Sequence, residues 1–170
     1  MALFGGERDI SLFRSINREL MGNIITQQCA VYKFKIEETK VNIYGEAAEE
    51  KYYMGPVMFN VLIERSDQDY PDTDLGVDFK WNIDFKFLRD DLVDAEVVPE
   101  VGDIILYEEG YYEVDDVITN QLFVGKDPRY PNKPNPFEND LDKFGYDVSI
   151  ICKTHSVPSD KVGISRERLI

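Results

Sequence analysis

Residues 99–117 read PEVGDIILYEEGYYEVDDV, and this stretch decides the fold. Two apolar runs, Ile104-Ile105-Leu106 and Tyr111-Tyr112 with Val114, flank Glu108-Glu109-Gly110. Two β-prone runs around a short turn with glycine form the pattern of a β-hairpin. Gly102-Asp103 launches the first strand with a turn of its own. The hairpin is made for packing and pairing, and it holds no recognisable catalytic group.

Outward from it the two-residue period recurs. In residues 77–88, Val77, Phe79, Trp81, Ile83, Phe85 and Phe87 face one way and Asp78, Lys80, Asn82, Asp84 and Lys86 the other. At 3.3 Å per residue such a strand would run roughly 40 Å, so a bend or bulge is expected. Residues 57–63 are apolar on both sides, which predicts a strand covered on both faces. Residues 30–36 alternate Tyr32, Phe34 and Ile36 against Val31, Lys33 and Lys35. Shorter runs follow at 41–44, 121–124 and 146–152, the last with Tyr146, Val148, Ile150 and Cys152 on one face. About seven short strands with turn signals between them predict a mainly β chain, an antiparallel β-barrel or sandwich.

One helix is expected, over residues 9–21, where Leu12, Phe13, Ile16 and Leu20 recur at three- and four-residue steps. Asp9 or Ser11 caps its start and Gly22 ends it. Its other face shows Arg14, Asn17, Arg18 and Glu19. A lone helix of this length is marginal in water, so it must pack on its own domain or on a neighbouring subunit. Three segments break the strand pattern. Residues 64–76 (ERSDQDYPDTDLG) are acidic and interrupted by Pro71, and 127–144 hold Pro128, Pro131, Pro134 and Pro136. Residues 154–170 are polar and expected to stay mobile until a partner orders them. The expected organisation is a helical arm at 1–28, a barrel domain at 29–153 with long loops at 64–76 and 127–144, and a tail at 154–170.

Composition bounds the function. A chain of 170 residues is one domain that buries about 70% of its unfolded surface. Ten Tyr and ten Phe against one Trp and one His supply large rings for a core and for half-wet protein contacts. Acidic residues outnumber basic ones 33 to 19, a net charge of −14, so the basic footprint that holds nucleic acid is missing. The excess acid reads as a solvated surface, or as a wall that lets DNA pass without holding it. Cys29 and Cys152 have no CxxC spacing and sit in apolar contexts, as buried free thiols do. With no signal-peptide pattern and no long apolar run, the chain is expected to be made in a reducing cytoplasm with no membrane contact.

Catalytic constellations are weak. A nucleophile triad would need His155, the only histidine, in a tail-like segment beside Pro158. Asp67, Asp69, Asp72 and Asp74 resemble a calcium loop only superficially, since Tyr70 and Pro71 occupy the turn and no Glu follows at the required spacing. Glu108-Glu109 and Asp115-Asp116 are neighbours in strands, whose side chains point to opposite faces. The expectation is a non-enzymatic protein with no cofactor and no metal.

A run of short motifs carries a resemblance to a known family. They are YGE at 44–46, LIERSDQ at 62–68, DFKWNIDFKFLR at 78–89, VVPEVGDIILYEEGYYEVDDV at 97–117 and NQLFVGKDPRYPN at 120–132. In order and spacing they resemble the neck, or head-closure (head completion), proteins of T4-like contractile-tailed bacteriophages. The Gly-Asp-Ile…Tyr-Glu-Val pattern is similar, more loosely, to small β-barrel joining proteins of other tailed phages. The resemblance implies a structural virion protein, assembled in the host cytoplasm into a homo-oligomeric ring. Such a ring closes the DNA-filled head beneath the portal or adaptor and offers the tail, or its terminator, a docking surface. A head-tail adaptor or tail terminator is the neighbouring possibility, and packaged DNA passes through without specific binding. The expected partner contacts are Leu12, Phe13, Ile16 and Leu20 on the helix, and Pro128, Tyr130, Pro131, Pro134 and Phe137 on the proline-rich arm. Prolines limit the entropy an arm loses on docking. Asp67, Asp69, Asp72 and Asp74 are the expected acidic lining of the lumen. The rival from another class is a cytosolic β-barrel that binds a small ligand or peptide as a monomer.

Overall fold

Six strands close into an antiparallel barrel in the order β1 (Gln28–Phe34), β2 (Tyr53–Arg65), β5 (Asn82–Leu88), β10 (Ser149–Val157), β7 (Gly110–Ile118) and β6 (Ile104–Tyr107). The computed structural model describes residues 7–35, 51–65, 72–73, 76–77, 82–119, 122–124, 146–162 and 164. Helix α1 (Glu7–Glu19) runs into a π-helical turn at Leu20–Ile25 and then into β1 (Gln28–Phe34). There follow β2 (Tyr53–Arg65), β3 (Asp72–Thr73), β4 (Gly76–Val77), β5 (Asn82–Leu88) and α2 (Arg89–Asp94). The second half holds β6 (Ile104–Tyr107), β7 (Gly110–Ile118), β8 (Leu122–Val124), β9 (Tyr146–Asp147), β10 (Ser149–Val157) and α3 (Ser159–Val162). Strands β3-β4 and β8-β9 form two separate small ribbons. The expected mainly β fold with one N-terminal helix is what the chain adopts, and the barrel is the closed form of it.

Alternating side chains fill the barrel. Phe59, Val61, Ile83, Phe85, Phe87, Ile105, Val114, Ile150 and both cysteines meet in one buried cluster. Phe59 and Phe87 pack edge to face at 5.8 Å, and Phe85 and Tyr112 at 5.6 Å. The β6–β7 hairpin pairs Tyr107 with Gly110 around Glu108-Glu109. Glu108 takes a left-handed φ of 53° there. Strands β5 and β6 stand opposite each other in the ring, so the chain between them must cross one barrel end. Helix α2 makes that crossing, with Leu92 fully buried and Val93, Val97 and Val98 packed on the core.

A second cluster lies on the outside. Ile104, Tyr111 and Val162 are buried there, with Tyr32, Tyr53, Leu106, Val157 and Ile164 against them. The outer face of β6, β7 and β1 is thus covered by the chain's own end.

Several expectations need correction. Residues 154–157 are the second half of β10, not a tail, and α3 beyond them buries Val162 to 1% exposure. Polar Thr154 fits the interior because its Oγ1 donates to the Ile83 carbonyl at 2.7 Å. Residues 64 and 65, taken as the start of a loop, close β2. In residues 57–63 only one face is buried; Met58 and Leu62 lie exposed, as the outer face of an antiparallel strand allows. In β1 the barrel side is Cys29 and Val31, while Tyr32 belongs to the outer cluster. The strand expected over 77–88 divides, Val77 pairing with Asp72 and β5 starting at Asn82. Gly22 does not stop the helix; a π turn carries on to Thr26, whose φ of 50° ends it while its N–H donates to the Met21 carbonyl at 2.9 Å. The proposed loop 127–144 and the run 41–44 lie outside the described residues.

Candidate interaction surface

Helix α1 docks by its charged face. Arg14 and Arg18, one turn apart, point at α2, where Arg14 reaches Asp90 at 3.6 Å and Arg18 pairs with Asp91 at 2.8 Å and with Asp94. The acids of α2 fall at i, i+1 and i+4, so they line one side of a short helix facing the two arginines. Asp90 and Asp91 also suit the positive end of α2's dipole. Burial outweighs the Arg18 charge at Asp91 and raises its carboxyl above the ordinary value. Asn17 donates its amide to the Phe13 carbonyl at 2.8 Å, and Met21 is buried beneath the π turn.

This docking turns the apolar row outward. Leu12, Ile16, Leu20 and Ile24 are 61%, 54%, 42% and 73% exposed. Spaced by four residues, they form a continuous ridge along the helix and its π turn. An amphipathic helix ordinarily hides such a row against its own core; here the arginines take that role. Leu12, Ile16 and Leu20 of the expected contacts therefore share one surface. Phe13 is half-buried and belongs to the docked side, which corrects the expectation that it shares the outward stripe. Ile24 was missed because Gly22 looked like a stop signal; the four-residue step simply continues past it.

A second apolar strip lies beside the ridge. Met58 and Leu62 are exposed on the outer face of β2, with half-buried Asn60 between them; Met54, past the register slip and paired with Lys33, is exposed but does not share that face. The Gly22 backbone sits against that asparagine, where an added Cβ would lie 3.9 Å from Nδ2. Gln28 Nε2 donates to Asn60 Oδ1 at 3.5 Å, and Val61 N–H donates to the Gln27 carbonyl at 2.9 Å. Pro56 is accommodated because the β1–β2 register slips between Val31 and Lys33, leaving an extra β2 residue at that point. Sequence reading missed this strip by treating residues 57–63 as covered on both faces.

Compared with known protein families and with curated proteins, the chain matches none. The surface has to be read from its own chemistry.

The chemical groups elsewhere serve the fold. His155 lies on the outside of β10, its Nδ1 2.8 and 2.9 Å from the two Asp115 oxygens. A bulge in β7 opposite Lys153 and Thr154 inserts Asp115 as an extra residue, so Asp115 and Asp116 are both exposed. That corrects the expectation that they face opposite ways. Burial pushes the Cys29 and Cys152 thiols up to about 12. Both are free and lie within the barrel, so they are poor nucleophiles and poor metal ligands. Among the described residues no three His, Cys, Asp or Glu side chains converge as a metal-binding group. Asp72 has its backbone in β3. Asp67, Asp69 and Asp74 lie outside the described residues, as do Pro128, Tyr130, Pro131, Pro134 and Phe137. No helix among the described residues is long and apolar enough to cross a membrane.

Proposed function

We propose that this chain is a structural, non-enzymatic neck protein of a tailed phage virion. It forms a ring that closes the DNA-filled head and joins the portal or adaptor to the tail. One observation carries the reading: an amphipathic helix held to its own domain by arginines, with its apolar ridge facing solvent. Exposed contiguous apolar surface on a chain of net charge −14 is the mark of a protein-protein contact. The motif resemblance gives that contact its place, beneath the portal and above the tail. The excess negative charge, repeated around a ring, keeps DNA phosphates from adhering as they pass. A head-tail adaptor or tail terminator would use the same surface in the same connector.

A binding module would need a concave pocket. Among the described residues the barrel interior is occupied by side chains instead, Phe85, Phe87, Ile83 and Val61 each at 1% exposure or less. The test is mass spectrometry of purified virions joined to light scattering of the purified chain. Recovery at a ring-like copy number is the expected result. A monomer absent from every particle sinks the neck reading.

A further inference from the structure

The ridge and the strip are two different shapes on one molecule, a convex row of side chains and a flat strand face. We propose that the α1 ridge of one copy seats on the outer face of β2 of a second copy. Charge selects the occupant. Residues 7–25 carry three acidic and three basic residues, and residues 53–63 carry none. The whole excess of 14 negative charges therefore lies elsewhere on the chain. Two identical acidic molecules repel across most orientations, and this neutral zone is where they meet without like charges opposed. A foreign partner of opposite charge would be drawn to the acidic remainder instead. Met58 lends the strip a side chain that adapts to an inserted row of Leu and Ile.

Position supports the pairing. Gly22 against Asn60 joins the second half of the ridge to Met58 and Leu62 in one patch, so each copy brings both the knob and the seat. Two copies related by a two-fold axis make the contact twice; a closed ring makes it once per junction. Either assembly buries the same side chains. This inference deepens the ring reading yet stands without a virion, and its test needs none.

Sedimentation velocity on the full chain, over a range of concentration and salt, reads the self-association directly. Association that holds or strengthens with added salt is expected, because salt screens the repulsion and leaves the apolar contact. Ile16→Asp and Met58→Asp should each raise the dissociation constant by at least about tenfold. Both side chains are exposed, so the melting curves of the two variants should overlay the parent's. Oxidising a mixture of Ile16→Cys and Met58→Cys chains should give the mixed disulfide, since Cys29 and Cys152 are buried. A parent chain that stays monomeric overturns the proposal. So does self-association that either Asp variant leaves intact, or a disulfide found only between like chains. A self-associating chain absent from particles would remove the neck reading alone, and a monomeric chain recovered from particles would remove this one alone.

Discussion

Asp103, at 1% exposure, holds three parts of the molecule together with one carboxylate. Its oxygens accept from Phe34 N–H at 2.9 Å, from Glu100 N–H at 2.8 Å and from Lys33 Nζ at 2.9 Å. The Lys33 ammonium also donates to the Val98 carbonyl at 2.6 Å and to Glu100 at 2.7 Å. Asp103→Ala strands two N–H groups and removes one of the three acceptors around the Lys33 ammonium. Because Lys33 keeps some solvent, the cost should be roughly 2–4 kcal/mol, below that of a fully sealed pair. A denaturant midpoint equal to the parent's would mean the carboxylate pins nothing. The turn at Gly102-Asp103 was legible in the sequence; its partner was not, because Lys33 lies 70 residues away and local pattern carries no pairing information. The cysteines, by contrast, were legible as buried free thiols from their apolar contexts. Burial raises both thiols from 9.0 to about 12. The folded state therefore keeps protons that the unfolded chain releases above pH 9, so stability is full below that value and falls as pH rises toward 12. Each cysteine should contribute a slope of about 1.4 kcal/mol per pH unit across that window. Cys152→Ala should flatten the loss by one such share in urea titrations at stepped pH, and an unchanged slope would count against burial as the cause.

At the scale of the element, α2 shows how a short helix escapes sequence reading. Arg89–Asp94 is six residues long, too short for a helical period to register. Yet its end is well built. Val97 N–H donates to the Leu92 carbonyl at 3.0 Å and Glu96 N–H to the Val93 carbonyl at 3.1 Å, the double bond of a Schellman turn. Val97 packs on the core beside Leu92, as that turn prefers. The turn places exposed Glu96 at a left-handed φ of 55°, where glycine is the usual occupant. Glu96→Gly relieves that strain and should raise stability by about 1 kcal/mol, or some 2–4 °C in melting temperature for a chain of this size. A lower melting temperature would mean that the added backbone freedom of the unfolded chain outweighs the relief. Helix α1 was legible as an element, while the way its stripe faces was left open between its own domain and a neighbour. Its apolar stripe was plain, but the face it presents to its own domain is set by α2's acids, which the sequence reading had not recognised as a helix.

For the whole molecule, the two-residue period made the β class readable because every barrel strand hides one face. Period alone does not say what happens on the other face, and this barrel treats its outer faces unequally. That of β6, β7 and β1 is sealed by the chain's own end, with Val162 at 1% exposure among Ile104 and Tyr111. That of β2 is left bare at Met58 and Leu62. A polar composition from residue 154 onward made the first region look like a mobile tail, since Val157, Val162 and Ile164 are scattered through it without a periodic signal. The two outer faces make opposite demands on mutation. Leu62→Ser on the bare face should leave folding within about 0.5 kcal/mol of the parent, as exposed sites do. Val162→Ala, though eight residues further on than the supposed start of the tail, removes two buried methyl groups and leaves a cavity against the Ile104 and Tyr111 side chains. It should cost about 1.5–3 kcal/mol in urea denaturation. Were residues beyond 154 an unpacked tail, the valine change would be as silent as the leucine one. Equal midpoints for the two variants would therefore return the chain end to solvent and leave β6 and β7 with a second exposed apolar face.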